Sequence, residues 1–244
     1  MSELDQMEGM AVTLSSAPKG GRVVAIASET GRFVRFAISM QGLLMPTADT
    51  RTFWMIGSSD VAETRNDACK AMLANEASSD WIWFIDDDHT FPPSMLIDLL
   101  AKDVDIVQPL CLRRGSPFLP IATGLDGDFL NLRDMPKTGV VEVMAAGSSG
   151  MLIRRNVIAA LEHPWFELGY DDVGRVSEDV NFCRKARAAG FKVHVDLGVR
   201  LGHMTTTVIT PGWNKEDGGW MTVYEVADGA ILATELGQQL TPED

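Results

Sequence analysis

A chain of 244 residues with 45% hydrophobic and 23% charged residues can bury the core of one large domain, and it reads as globular rather than fibrous or disordered. Its formal net charge of −13 argues against a protein that coats nucleic acid non-specifically or lies on anionic membrane, since both rely on basic surface. Cys69, Cys111 and Cys183 are odd in number, far apart and without a C-x-x-C pair, so they point to neither a disulfide framework nor a thiolate metal site.

Residues 1–21 are acidic early and Ser/Gly/Pro-containing later, with no apolar h-region, and are expected to be a flexible segment rather than a secretory signal. No run approaches the ~20 apolar residues of a membrane span. The expectation is a soluble, cytoplasmic protein in a reducing compartment.

Arg22 to Ser28 is a short apolar run closed by Glu29, Thr30 and Gly31, a first strand and its loop. Gly31 to Met45 repeats apolar residues at spacings of three and four, which predicts a helix packed on a sheet and ended by Pro46. Thr52 to Gly57 is a second strand. Asp60 and Glu63 have the spacing of a capping box and open a helix to about Ala77. The central run Trp81-Ile-Trp-Phe-Ile85 follows, bulky enough to be a strand buried on both faces. Strand, helix, strand, helix, strand implies parallel crossovers, hence an α/β fold with a mostly parallel central sheet flanked by helices.

Beyond it, Pro92 and Pro93 suit a helix start, with Met95 to Ala101 as the helix. Ile106 to Leu112 reads as a strand, and Pro109 within it predicts an edge or bulged position. Val140 to Met144 alternates as a half-buried strand, and Ala145 to Gly150 is a small-residue turn that lets a ligand approach backbone. Met151 to Ile153 resumes as strand and Arg155 to Leu161 as a short helix. Tyr170 to Arg175 is a polar, mobile segment on this reading. Ser177 to Ala189 is a helix ended by Gly190, followed by extended Phe191 to Asp196 and Val199 to His203. The tail, residues 205–244, reads as a loop over the site, with 22–204 as the main domain.

The central strand runs straight into Asp86, Asp87, Asp88 and His89. Ligands of open α/β sheets bind beyond the carboxyl ends of the strands, and adjacent carboxylates repel unless a cation or donors compensate them. If the chain stays extended, Asp86 and Asp88 share one face and Asp87 takes the other. Two oxygen ligands on one face can hold a hard divalent cation; the plainer alternative is an acidic turn capping the next helix.

Phe84-Ile-Asp-Asp-Asp88 with Phe91-Pro-Pro resembles the D-x-D segment of nucleotide-sugar-dependent glycosyltransferases of the GT-A fold, including the large family 2 group. Glu63-Thr-Arg-Asn66 is similar to the R-N helix before that motif, Ser177-Glu-Asp179 to the acidic helix start flanking the acceptor, and Val199-Arg-Leu-Gly-His203 to the R-x-G-H segment of retaining members. The resemblance covers roughly Arg22 to Met204.

It implies that Asp86, Asp88 and His203 hold Mn²⁺ or Mg²⁺, the imidazole favouring manganese. It places Ser28, Glu29, Asp60, Arg65, Asp86 and Asp87 on the sugar nucleotide, with Arg65 reaching phosphate oxygens. Asp179, with Glu178, is the implied catalytic acid pair: a general base in inverting relatives, a positioner of acceptor or sugar in retaining ones, toward which His203 tilts the reading. Gly147, Ser148, Ser149 and Trp213 are expected in the acceptor or sugar pocket. Each has a plainer reading: cap, turn or packing residue.

The implied activity is transfer of a sugar from a nucleoside diphosphate sugar, UDP-linked, to the hydroxyl of a small molecule, a glycan or a hydroxymethylated DNA base. Arg113, Arg114, Arg133, Arg154 and Arg155 are candidates for a basic rim toward DNA. Two other classes stay open: a nucleotidyltransferase or metal-dependent phosphoesterase using the same acids, and a sugar-nucleotide binding module without turnover. The first would need a phosphate cradle, and neither G-x-x-x-x-G-K nor a dense Lys/Arg cluster is found.

Overall fold

The computed structural model describes residues 21–27, 34–56, 60–74, 79–115, 118–132, 135–214, 219–226 and 231–235. Ser28, Glu29, Arg133 and the 1–20 part of the expected flexible segment lie outside these residues.

The first half follows the alternation read from the sequence. Strand β1 (Arg22–Ala27) leads through α1 (Val34–Gly42) to β2 (Arg51–Ile56), and α2 (Val61–Ala74) leads to β3 (Trp81–Asp86). β1 pairs in parallel with both β2 and β3. Asp60 starts α2 by accepting hydrogen bonds from the backbone N–H groups of Ala62 (2.9 Å) and Glu63 (3.3 Å), satisfying donors that the first helical turn leaves free.

β3 is buried on both faces because its first five positions are all apolar. Trp81 to Ile85 are each 0% exposed. Trp81, Trp83 and Ile85 pack with Phe36, Leu96 and Leu99, while Ile82 and Phe84 pack with Met72, Phe166 and Phe182. Side chains of period two thus divide one strand between two hydrophobic layers.

The strand stops at Asp86, and Asp87 and Asp88 form a turn into β4 (His89–Thr90) instead of continuing extended. The division of faces read from the sequence required an extended chain and does not apply to this turn; Asp87 is buried, whereas Asp86 and Asp88 keep 28% and 18% of their side chains exposed.

After α3 (Met95–Leu100), β5 (Ile106–Cys111) enters the sheet interior, between β9 (Leu152–Arg154) and β12 (Val193–His203). Pro109 therefore does not mark an edge. Its missing N–H is accommodated on the partner strand, where the register of β12 shifts between Asp196 and Arg200, opposite Pro109 and Leu110. The full order is β2-β1-β3-β9-β5-β12-β4, with β7 (Val140–Val143) also on β12. β9 runs antiparallel to β3 and β5, and β7 and β4 antiparallel to β12. The sheet is mixed, with a parallel majority among its long strands.

Between these elements lie β6 (Ala122–Thr123) and β8 (Ala145–Ala146), paired with each other, then α4 (Arg155–Ala160). Residues 170–175, expected to be mobile, belong to a hairpin of β10 (Gly169–Asp171) and β11 (Gly174–Val176). Asp171 closes its turn by accepting from the N–H groups of Val173 and Gly174. Helix α5 (Glu178–Ala188) follows.

The described part of the tail is largely strand, not the expected loop. β13 (Thr207–Asn214), β14 (Gly219–Val226) and β15 (Ile231–Glu235) form a three-stranded antiparallel sheet whose register sets Trp213 opposite Trp220. No helix among the described residues is long and apolar enough to cross a membrane.

Candidate active site

The site forms where β3, β5 and β12 end. Backbone pairing sets the geometry: Gly202 and His203 pair with Thr90 and His89, and the Met204 N–H donates to the Asp88 carbonyl at 2.8 Å. Gly202 permits the approach, since a Cβ there would lie 2.4 Å from Thr90 Oγ1. The R-x-G-H segment is thereby tied to the acids.

Asp88 is the hub. Its Oδ2 lies 3.3 Å from His203 Nε2 and 3.1 Å from Arg114 Nη1, and its Oδ1 lies 2.7 Å from His89 Nδ1. The two imidazoles stack, with centroids 4.4 Å apart and planes at 16°. Burial alone would raise the Asp88 carboxyl, but the contacts with His203 and His89 outweigh it and hold the group well below the ordinary carboxylate range.

His203 Nδ1 is 2.9 Å from the Leu112 carbonyl, which can only accept, so that nitrogen carries the proton. Nε2 then needs a second proton or a metal ion to face a carboxylate. Asp88 Oδ1 is buried and, despite its closeness to His89, has no hydrogen aligned on it. A carboxylate that keeps 18% of its side chain exposed, with an imidazole beside each oxygen, fits a divalent cation.

Asp86 is engaged differently from expectation. Both its oxygens accept from Arg65 Nη2 at 3.2 Å, and Arg65 Nη1 donates to Glu178 Oε1 at 2.6 Å. Arg65 is only 3% exposed, so it clamps β3 to α5 rather than standing open as a phosphate ligand. A buried guanidinium between two carboxylates gives the fork both its partners. Glu178 is thus spent on Arg65, while Asp179, one residue on, lines the adjoining cavity.

That cavity measures about 290 Å³ and is lined by Arg113, Arg114, Phe129, Gly147, Asp179 and His203, among others. Asp179 Oδ1 accepts from the Ser177 hydroxyl and the Val180 N–H. The absence of a side chain at Gly147 keeps the floor open: a Cβ there would meet Ile121 Cγ2 at 2.7 Å and Asp179 Oδ2 at 3.6 Å. Ser149 Oγ accepts from the Asp86 N–H at 3.2 Å and lies 3.1 Å from His89 Nδ1. Ser148 is 2% exposed, with its hydroxyl unpartnered. Gly150, at φ +78°, presses against Pro109 and Leu201, which locks the turn between β5 and β12.

The remaining expected residues scatter. Asp60 caps α2, and Asp87 is 5% exposed. Arg154 pairs with Asp103 and Arg155 donates to the Met72 and Leu73 carbonyls, while Arg154 is registered with Trp81, at the opposite end of β3 from the acids. Among the described residues of the expected basic rim, Arg113 and Arg114 reach the cavity and Arg154 and Arg155 do not. Trp213 sits on β13.

Sequence reasoning missed His89 and Cys111. Cys111 Sγ lies 3.8 Å from His89 Nε2, and its thiol is pushed up to about 12, by burial first and then by the charge of Asp88 and Asp86. An imidazole directly after three acids was the available signal.

The fold is of the GT-A type, and the sequence match to a family model identifies a nucleotide-sugar glycosyltransferase. The model of the family "Glycosyltransferase like family 2" matches residues 46–216, and the chain belongs to that family. Among solved structures, "A197 from STIV" is similar at 13% identity, with a TM-score of 0.50 over 91% of this chain and 100% of that one. A structure of GalNAc-T7 with UDP, GalNAc and Mn²⁺ is similar at 12% identity, with a TM-score of 0.53 over 77% of this chain; the match spans 44% of that longer protein. At such identities the likeness concerns the fold. No curated protein matches the sequence.

Proposed function

We infer that the protein transfers a glycosyl group from a UDP-sugar to an acceptor hydroxyl, using a divalent ion held by Asp88 and His203. The observation that carries this reading is the contact of Asp88 with His203 at 3.3 Å on one carboxylate oxygen, with His89 2.7 Å from the other. Asp86 stands at the same strand end and completes the ligand set proposed from the sequence, given movement away from Arg65. Support for manganese and UDP comes from the imidazole in the set and from the GalNAc-T7 complex, which contains both. When bound, the ion supplies charge stabilisation to the leaving diphosphate, an effect on the order of several kcal/mol.

The chain's own residues do the rest. Arg114 is about half exposed at the cavity wall and suits a diphosphate oxygen once released from Asp88. Asp179 faces the cavity and is proposed to orient the acceptor hydroxyl, or to take its proton, while Glu178 steadies the helix start through Arg65. Gly147 lines the floor for sugar or acceptor, with Ser148 and Ser149 supporting it from behind. The acceptor class is a small molecule, a glycan or a hydroxymethylated DNA base.

UDP release from a panel of UDP-sugars, with and without Mn²⁺, tests the reading. Wild type should release UDP only with metal, and Asp88→Ala should fall by at least about 100-fold, a loss of about 2.7 kcal/mol of transition-state stabilisation. Metal-independent release, or undiminished release by Asp88→Ala, would refute it.

A further inference from the structure

The Asp88–His203 contact has a soft side that the glycosyltransfer reading does not use. His89, Cys111 and His203 each present a ligand atom, and these three atoms lie within 4.8 Å of one another. His89 and Cys111 are 2% and 3% exposed. On a tetrahedral zinc centre, ligands at ~2.3 Å (sulfur) and ~2.1 Å (nitrogen) stand roughly 3.6 Å apart. Cys111 Sγ and His89 Nε2 are 3.8 Å apart already.

The tautomers fit as well. Metal-ligating histidines commonly turn their other nitrogen to a carboxylate or a backbone carbonyl, which fixes the ring and raises the basicity of the ligating atom. His89 Nδ1 lies 3.1 Å from Ser149 Oγ and 2.7 Å from Asp88 Oδ1, which turns Nε2 toward Cys111. His203 Nδ1 faces the Leu112 carbonyl at 2.9 Å, leaving Nε2 free to ligate. Two imidazoles already oriented by outer partners, with a thiol beside one of them, form a closely matched ligand set for a borderline-soft ion. A hard ion prefers the carboxylate side.

We propose that His89, Cys111 and His203 form a zinc site, with a fourth position open, that is mutually exclusive with the oxygen-rich metal position at Asp88 because both require His203. Zinc in this site takes His203 away from Asp88 and switches transfer off. The thiol gives its proton to solvent on binding, and no electrons change hands. The binding claim stands on the ligand geometry alone; the inhibitory consequence rests on the transfer reading of the previous subsection.

Cobalt(II) titrated into the full reduced chain separates the two claims. One equivalent should produce a near-ultraviolet sulfur-to-cobalt charge-transfer band with intense tetrahedral d–d absorption, bleached by zinc. Cys111→Ser should abolish the charge-transfer band, while Cys69→Ser and Cys183→Ser keep it. His89→Ala should weaken binding by more than the roughly tenfold seen for loss of an outer-shell partner. Absence of the band in folded wild type, or its survival in Cys111→Ser, would overturn the site. In Mn²⁺-supported UDP release, zinc should inhibit wild type, and Cys111→Ser, each protein referred to its own zinc-free rate, should show at least about tenfold less zinc sensitivity. Equal inhibition of both proteins would overturn the switch. A wild type that releases no UDP but shows the cobalt band would count against glycosyl transfer and in favour of the zinc site.

Discussion

Asp88 and His203, set far apart in the chain, are held 3.3 Å from one another because the end of β12 pairs with β4 and the Met204 N–H is fixed on the Asp88 carbonyl. The contact is therefore a product of backbone pairing. Replacing His203 should remove a ligand without disturbing that pairing. His203→Asn is expected to weaken Mn²⁺ binding by at least about tenfold with little change in melting temperature, as measured by electron paramagnetic resonance of free manganese. Unchanged affinity would take His203 out of the metal set.

Arg65 provides a second, structural test. It is 3% exposed, with Asp86 on one guanidinium nitrogen and Glu178 on another. Removing one member of a buried charge cluster leaves the others uncompensated, at a cost of about 3–5 kcal/mol. Arg65→Met should show that loss in urea unfolding. Arg65→Lys should recover only part of it, because an ammonium cannot fork between two carboxylates. A loss for Arg65→Met below about 1 kcal/mol, the range of an exposed pair, would mean that the clamp is open in solution.

These two residues also show what was legible in the sequence. Elements with one dominant local signal were readable: the all-apolar run of β3, the acid cap of α2, and Gly190, at φ +93°, ending α5. The acids and His203 could be placed together only through family resemblance, since pairing between β12 and β4 depends on distant chain segments. The pairing of Arg65 with Asp86 and Glu178 was not legible, because its burial depends on Phe166 and Glu178 arriving from later elements. Pro109 signalled the irregular pairing but not its place: the strand is interior, and the bulge opposite Pro109 belongs to β12. The tail hid its strands behind Pro211, Gly212, Gly218 and Gly219, which read as loop.

The depressed Asp88 carboxyl makes a prediction in pH. Its folded value lies below the unfolded one, so its contribution to stability is fully present above about pH 4 and is lost as pH falls through the folded value. Wild type should exceed Asp88→Asn in urea midpoint at pH 7, and the gap should shrink progressively below about pH 4. A gap that stays constant to pH 3, or widens on acidification, would show that the His89 and His203 contacts do not hold the carboxylate in solution.

Gly147 tests the cavity floor, where geometry gives opposite expectations for two readouts. A methyl group there would stand 2.7 Å from Ile121 Cγ2, 3.3 Å from Gln108 Nε2 and 3.6 Å from Asp179 Oδ2. Overpacking of this kind costs about 1–3 kcal/mol, so Gly147→Ala should be folded but less stable. Because the added carbon also approaches the carboxylate proposed to orient the acceptor, transfer to acceptor should fall more than UDP-sugar hydrolysis, in which water is small enough to be accommodated. Adding Ile121→Ala to the same chain removes the atom in closest contact and should restore transfer. If both reactions fall in proportion, the floor beside Gly147 belongs to the donor rather than to the acceptor, and Asp179 would then sit under the sugar.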